Sequence, residues 1–366
     1  MKRPISSTAA AGRWSLAPLE GAGAGGDRRG GDETLTRLLI YEPSWRRLEA
    51  DLASWKPAIE AVLIDAEGRL TLHGAATSVE TANPHAAWFN REVFEGPAAR
   101  AFVIATLKAL ALKWVQTAAA GFDHPVFAQI VNKGARLTTS HGQAVGMADT
   151  VVAGVLDHFQ RGPERRAAQA ARAWRPLPFR EVLDSSWLII GFGAIGQAVA
   201  ERARAFGARI TGVRRDQAPH PLADRIAPLA TILDLLPGAD VVVLCAPLAA
   251  DTHQMANEAF FAAMKTGSVL VNVGRGGLVD EPALLAALDR GRPAHAALDV
   301  FAVEPVPETS VLWAHPAVSL TPHASGMTGG QDARNEATFL DNLRRFSSGE
   351  PLVNEVDPKD VLTTAN

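Results

Sequence analysis

The segment Trp187-Leu188-Ile189-Ile190-Gly191-Phe192-Gly193-Ala194-Ile195-Gly196 places a G-x-G-x-x-G triplet directly behind an apolar run and directly ahead of a helical pattern. Strand, tight turn and helix N-terminus in that order form a pyrophosphate site, because the first-turn N–H groups and the helix dipole both favour an anion. Gly191 permits the turn, Gly193 lets the backbone come close to phosphate, and Gly196 lets the helix pack against the strand. Ala194 and Ile195, the first residues of that helix, belong to the same candidate site. Ile195, Val199, Ala203 and Phe206 then fall on one helical face. An ordinary glycine turn is the bland alternative, and the flanking strand and helix argue against it.

The next apolar run, Arg209 to Val213, reads as a strand followed by Arg214-Arg215-Asp216. A fold that prefers NAD carries an acid about 20 residues after the glycines, where it bonds the ribose hydroxyls. Here Arg214 takes that place with Arg215 beside it, and two guanidiniums would grip a 2′-phosphate. The expectation is NADP(H), with NAD(H) the alternative should Asp216 be the residue in register.

Strands predicted over 187–190, 209–213, 241–245, 268–273, 295–300 and 317–321 alternate with helical stretches such as Asn257–Met264 and Pro282–Leu288. They describe a doubly wound parallel sheet. An earlier alternating unit has strands near 38–41, 61–64, 86–89, 113–117 and 135–139 and a helix over 98–110, but no glycine fingerprint. A long apolar helix over 148–159 separates the two units and offers a packing face either between subunits or within its own domain. The stretch 161–175 continues that helix or forms a polar connection, and a helix over 332–346 leads a tail back to the first unit. The expected domains are a disordered extension over 1–32, a substrate domain over 33–139 plus 326–366, and a dinucleotide-binding domain over 140–325, with a cleft between the last two.

Composition sets limits. The 366 residues include 47% hydrophobic and 20% charged positions with a net charge of −3, which gives no electrostatic case for a nucleic-acid partner. No apolar run is long enough for a membrane span. The single cysteine, Cys245, rules out an internal disulfide and reads as a small buried residue at a strand end. Gly21–Gly31 has no apolar periodicity. The segment before it carries Arg, Ser and Ala and no acid before Glu20, a slight likeness to an organelle transit peptide. A plain disordered extension is the alternative, and with no central apolar stretch for secretion a cytoplasmic location is expected.

Three ionisable residues stand just past strand ends of the second unit, where open α/β sheets bind ligands. They are Arg275 in VNVGRGGLVD (271–280), Glu304 in ALDVFAVEP (297–305) and His323 in TPHASG (321–326). Each alone has a structural reading; together behind a dinucleotide fingerprint they point to one site. With the glycine triplet, Leu244–Leu248, WVQTAAAGFD (114–123) and the carboxyl-terminal pieces 341–343 and 349–352, these motifs resemble the D-isomer-specific 2-hydroxyacid dehydrogenase family over roughly 33–358.

The resemblance implies an α/β fold of two doubly wound parallel-sheet domains, a flavodoxin-like substrate domain and a Rossmann dinucleotide-binding domain. It also implies reversible hydride transfer from NADPH to a small 2-oxo acid of the glyoxylate or hydroxypyruvate kind, giving the D-2-hydroxy acid, without a metal. Arg275 would hold the substrate carboxylate and polarise the carbonyl. His323 would give the carbonyl oxygen its proton, and Glu304 would bond the other ring nitrogen and orient it. Asp299 would accept from the nicotinamide carboxamide, and Cys245, Pro247 and Val273 would line the cofactor cleft. Asn90 falls near the loop expected to hold the carboxylate with backbone N–H groups, and 67–85 reads as an insertion. Glu304 argues against a formate dehydrogenase, which carries Gln there. The missing regulatory extension argues against many phosphoglycerate dehydrogenases, and the full Arg275, Glu304 and His323 set argues against a dinucleotide-sensing corepressor. A homodimer is the default assembly.

Overall fold

Alternation of side chains along the strands explains how the first sheet is covered on both faces. The computed structural model describes residues 35–364 apart from 54, 56 and 57, and of 362–364 the backbone alone, so the expected extension over 1–32 lies outside the described residues. The first lobe runs β1 (Thr36–Tyr41), α1 (Glu42–Leu52), β2 (Ile59–Ile64), β3 (Leu70–Leu72), β4 (Ala75–Thr77), α2 (Val79–Ala82), β5 (Ala86–Phe89), α3 (Arg91–Glu95), α4 (Ala99–Lys108), β6 (Trp114–Thr117), α5 (Pro125–Asn132) and β7 (Arg136–Thr138). The sheet order is β4-β3-β2-β1-β5-β6-β7, parallel from β2 to β7. Leu39, Phe89 and Val115 pack on one face with Phe102 and Ile130, while Leu38, Trp88 and Trp114 pack on the other.

The segment read as an insertion adds two antiparallel strands, β3 and β4, to the edge. Their connection is His73-Gly74, both at positive φ (52° and 77°), the conformation that a two-residue hairpin turn requires. Three-residue strands are too short for alternation to reveal them, which is why the sequence reading found no strand there.

The second lobe follows α6 (Ala144–Phe159) and α7 (Gly162–Ala170). It comprises β8 (Ser186–Ile190), α8 (Ala194–Ala205), β9 (Arg209–Val213), β10 (Arg225–Ala227), α9 (Ile232–Leu235), β11 (Val241–Leu244), α10 (Glu258–Ala263), β12 (Val269–Asn272), α11 (Glu281–Leu288), β13 (His295–Leu298) and β14 (Val318–Leu320). Its seven strands are parallel in the order β10-β9-β8-β11-β12-β13-β14, so the order reverses between β8 and β11, where a crevice opens at the carboxyl ends. All six predicted strands are present; β10 is the addition. The stretch after α6 breaks at Arg161, which has φ 56°, and α7 starts anew.

The apolar face of α6 is used within its own lobe. Val151, Val155 and Phe159 pack with Ile189, Val199 and Ala203 of β8 and α8, while Val145, Asp149 and Ala153 face outward. α12 (Gln331–Ser347) covers the second face of the first sheet, with the Phe339 ring stacked on Trp88 at 4.1 Å. α13 (Pro358–Thr364) follows, and its Val361 joins the core beneath α5. No helix among the described residues is long and apolar enough to cross a membrane.

Candidate active site

The glycine turn is built by close approach. Gly191 has φ +98°, and a Cβ there would lie 2.4 Å from the Ala246 nitrogen and 2.5 Å from the Cys245 carbonyl carbon. A Cβ on Gly196 would lie 2.2 Å from the Gly191 oxygen. Gly193 differs: it is exposed, caps α8 without a side chain, and a Cβ there would meet nothing within 4 Å. The first turn of α8, with Ala194 and Ile195, therefore offers N–H groups to open space. That arrangement fits the pyrophosphate of a dinucleotide.

Backbone beside the turn completes this edge. The Cys245 N–H donates to the Ile190 oxygen at 2.9 Å, and the Val273 N–H to the Leu244 oxygen at 3.1 Å. Pro247 is exposed, whereas the Val273 side chain is buried in the core. The Cys245 thiol donates to the Gly191 oxygen at 2.9 Å, and burial of the sulfur pushes its pKa up to about 12. It stays a thiol and holds the turn.

Two strands further along, His323 and Glu304 meet. Glu304 Oε2 lies 2.7 Å from His323 Nδ1, while Oε1 accepts the Phe301 N–H at 2.9 Å. His323 sits at φ +49°, an unfavourable conformation for a residue with a Cβ. It is held there by N–H bonds to the Asp299 and Thr321 oxygens. The buried Asp299 carboxylate locks the same loop, accepting from Thr321 Oγ1 at 2.6 Å and from the N–H groups of Ala324 and Ser325. Asp299, expected beside the nicotinamide, is thus the anchor of the histidine turn. His323 Nε2 has no partner among the described residues, and half of the side chain is open to solvent.

Arg275 follows β12, next to the strand that precedes Glu304. The buried Asn272 shapes its turn, accepting from the Gly274 N–H and donating to the Arg275 oxygen. A Cβ on Gly276 would lie 1.9 Å from the Phe301 carbonyl, so the arginine turn presses against the loop that carries Glu304. From the first lobe, Asp123 accepts from Arg275 Nε at 3.1 Å and from Nη2 at 3.0 Å, and Gly274 O accepts from Nη1 at 2.9 Å. Burial works to raise the pKa of Asp123, but the hydrogen bonds and charge of Arg275 more than offset it and hold the carboxyl below its ordinary value.

The sequence profile described as "D-isomer specific 2-hydroxyacid dehydrogenase, NAD binding domain" matches residues 152–325. Glyoxylate/hydroxypyruvate reductase A of Klebsiella pneumoniae (strain 342) is 33% identical over 217 residues, 59% of this chain and 69% of that protein. The chain belongs to the D-isomer-specific 2-hydroxyacid dehydrogenase family. Glyoxylate reductase of Thermococcus kodakarensis is 39% identical over 196 residues, 53% of this chain and 58% of that protein. Among solved structures, a D-isomer specific 2-hydroxyacid dehydrogenase from Xanthobacter autotrophicus Py2, in complex with NADPH and MES, superposes with a TM-score of 0.71. It is 26% identical, with 89% of this chain and 99% of that one covered. The NADPH-dependent glyoxylate/hydroxypyruvate reductase of Sinorhizobium meliloti, in complex with NADP and sulfate, gives 0.68 at 26% identity, covering 90% and 100%.

Within this dehydrogenase the two adjacent arginines are not equivalent. Arg214 directly follows β9, and its backbone N–H bonds Ala227 of β10. Its guanidinium folds onto its own loop, donating to the Asp216 and Ala218 oxygens at 2.8 and 2.7 Å. Arg215 points to α13 instead, where both oxygens of Asp360 accept from it at 2.8 Å. The expected pair of phosphate grips is therefore one arginine at the strand end and one engaged by the carboxyl-terminal helix.

Asn90 opens the loop after β5. Its Oδ1 caps α3 through the Val93 N–H at 3.0 Å, and its Nδ2 donates to Ser44 Oγ at 2.6 Å and to Glu92 at 3.4 Å. These bonds turn the side chain into the loop of the dehydrogenase's first lobe. The sequence reading missed roles for Asp123, Asn272 and Asp360. Asp123 stands within the quoted motif 114–123, but its partner is 152 positions away and no local pattern links them.

Proposed function

We propose that this protein reduces small 2-oxo acids of the glyoxylate and hydroxypyruvate kind to D-2-hydroxy acids, reversibly and with NADPH as donor. The carrying observation is the 2.7 Å His323–Glu304 couple beside Arg275, on neighbouring strand ends of the sheet that opens with the glycine turn. Gly191, Gly193, Ala194, Ile195 and Gly196 would hold the pyrophosphate, with Cys245, Pro247 and Val273 along the same edge. When bound, the nicotinamide supplies a hydride equivalent to the substrate's α-carbon.

The chain's own residues do the rest. Arg275 binds the substrate carboxylate and draws electron density from the adjacent carbonyl. Glu304 engages Nδ1 of His323, which leaves Nε2 as the nitrogen that presents a proton to the carbonyl oxygen. In the oxidative direction Nε2 takes that proton back. Asp299 keeps the histidine turn in its left-handed conformation and so fixes where Nε2 points. Asn90 supports the site through the α3 cap.

For the donor, Arg214 is the residue that favours NADPH, since no carboxylate occupies the first position after β9. It donates to two backbone carbonyls and lies 3.6 Å from the exposed Asp216 carboxylate, contacts that a 2′-phosphate dianion would have to replace. The assembly proposed is a homodimer joined through residues 171–183. Trp174 is 99% exposed, Phe179 52% and Leu183 61%, an apolar display that a second copy would cover. Sedimentation velocity should give a dimer for the natural chain and a monomer for Trp174→Ser; a monomer in both removes the dimer.

Initial rates with glyoxylate, hydroxypyruvate, pyruvate and 3-phosphohydroxypyruvate, each with NADPH and NADH, test the reaction. The highest kcat/KM is expected for NADPH with glyoxylate or hydroxypyruvate. A clear preference for NADH would remove the role given to Arg214, and turnover confined to 3-phosphohydroxypyruvate would change the substrate class.

A further inference from the structure

A guanidinium that must grip a carboxylate is useful only if it faces one way. Arg275 extends on a flexible stem from a glycine-flanked turn, and without partners it would sample many rotamers. In the structure it makes three bonds. Asp123 takes Nε and one hydrogen of Nη2, and Gly274 O takes one hydrogen of Nη1. A guanidinium has five N–H groups, so one remains on each of Nη1 and Nη2. A carboxylate can accept from both terminal nitrogens at once.

Asp123 comes from the loop between β6 and α5 of the first lobe, and Arg275 from the end of β12 in the second. The loop is shaped for this contact. A Cβ on Gly121 would lie 1.9 Å from Arg275 Nη2, 3.0 Å from Cζ and 2.9 Å from Asp123 Oδ1. Only a residue without a side chain leaves room there for the guanidinium.

We infer that Asp123 is the positioning residue for substrate binding: reaching across from the first lobe, it fixes Arg275 so that a pair of N–H groups faces the 2-oxo acid carboxylate. This rests on the 2-oxo acid reductase reading above. Asp123 itself touches no reacting atom. The opposite role is a placeholder that substrate must displace from Arg275. Asp123 occupies the Nε edge and leaves one hydrogen on each terminal nitrogen, so substrate can bind with the clasp intact.

The two roles move KM in opposite directions. Asp123→Asn keeps the shape but removes the charge and replaces one of the two acceptor oxygens with a donor. It should raise KM for glyoxylate and the inhibition constant of oxamate, an unreactive 2-oxo acid mimic, by about tenfold to a hundredfold. The effect on kcat should be smaller and NADPH affinity unchanged. Asp123→Glu, which keeps the charge, should recover part of the loss. Gly121→Ala displaces the guanidinium from its other side without altering the aspartate, and should raise KM in the same direction even if Asp123→Asn folds poorly. An unchanged KM in both Asp123→Asn and Gly121→Ala overturns the inference and leaves the reductase reading intact, and so does a KM below that of the natural protein in Asp123→Asn. A natural protein that turns over no 2-oxo acid overturns both.

Discussion

His323 and Arg275 are each held by a carboxylate, but the two clasps are built differently. Glu304 reaches His323 across 19 positions, and both belong to loops on adjacent strand ends of one sheet. Asp123 reaches Arg275 across 152 positions and from the other lobe. The first clasp exists whenever the second lobe is folded; the second exists only while the two lobes meet. Proton delivery is therefore set within one lobe, whereas substrate grip depends on both. Variants of the histidine clasp should change kcat most, and variants of the arginine clasp should change KM most.

The largest effect should follow loss of the ring itself. His323→Ala should lower kcat for glyoxylate reduction by about 10²–10⁴-fold, the usual contribution of a positioned general acid. Titration of NADPH fluorescence should show unaltered cofactor affinity. Near-natural turnover would remove His323 as the proton donor. Next comes Glu304→Gln, which keeps the ring but weakens what orients it. A fall in kcat of up to about 10²-fold is expected, less than the whole general-acid contribution, with KM little changed. If KM rises as in Asp123→Asn, the division of labour between the clasps is wrong.

The smallest effect belongs to the far end of the second lobe, at the amino ends of the strands. His295 begins β13, stacks on His158 at 4.6 Å and pairs with Ser319. Burial, with the neighbouring His158 charge, lowers its pKa from 6.5 to about 4. The fold therefore favours the neutral ring, and the unfolded chain binds the proton first. Stability should be lost as pH falls from 6.5 toward 4, by up to about 3 kcal/mol. His295→Gln should flatten that part of the profile of Tm against pH without changing kcat at neutral pH. An unaltered slope would show that this ring does not set acid lability.

The same contrast governs what could be read from the sequence. In the second lobe each structural task is local: Gly191, Gly193 and Gly196 serve one turn, Arg275 and Glu304 follow the buried strands β12 and β13, and His323 follows the short edge strand β14. Asp280 and Asn257 likewise cap the helices that follow them. In the first lobe the tasks are tertiary. Asp123 acquires its partner only when the lobes meet, and Asn90 serves a cap and a bond to Ser44, 46 positions away. Arg215 could not be separated from Arg214 by sequence, because its partner Asp360 belongs to the last described helix. The strands β3, β4 and β10 have three residues each, too few for a period of two to stand out.

The most direct measurement is a crystal structure of the complex with NADPH and oxamate. The account predicts the pyrophosphate on the N–H groups of the α8 first turn, the oxamate carboxylate on the terminal nitrogens of Arg275 with Asp123 still bonded behind it, and the amide carbonyl oxygen within hydrogen-bond reach of His323 Nε2. Oxamate bound away from either clasp, or an Arg275 that leaves Asp123 to reach it, would contradict that arrangement.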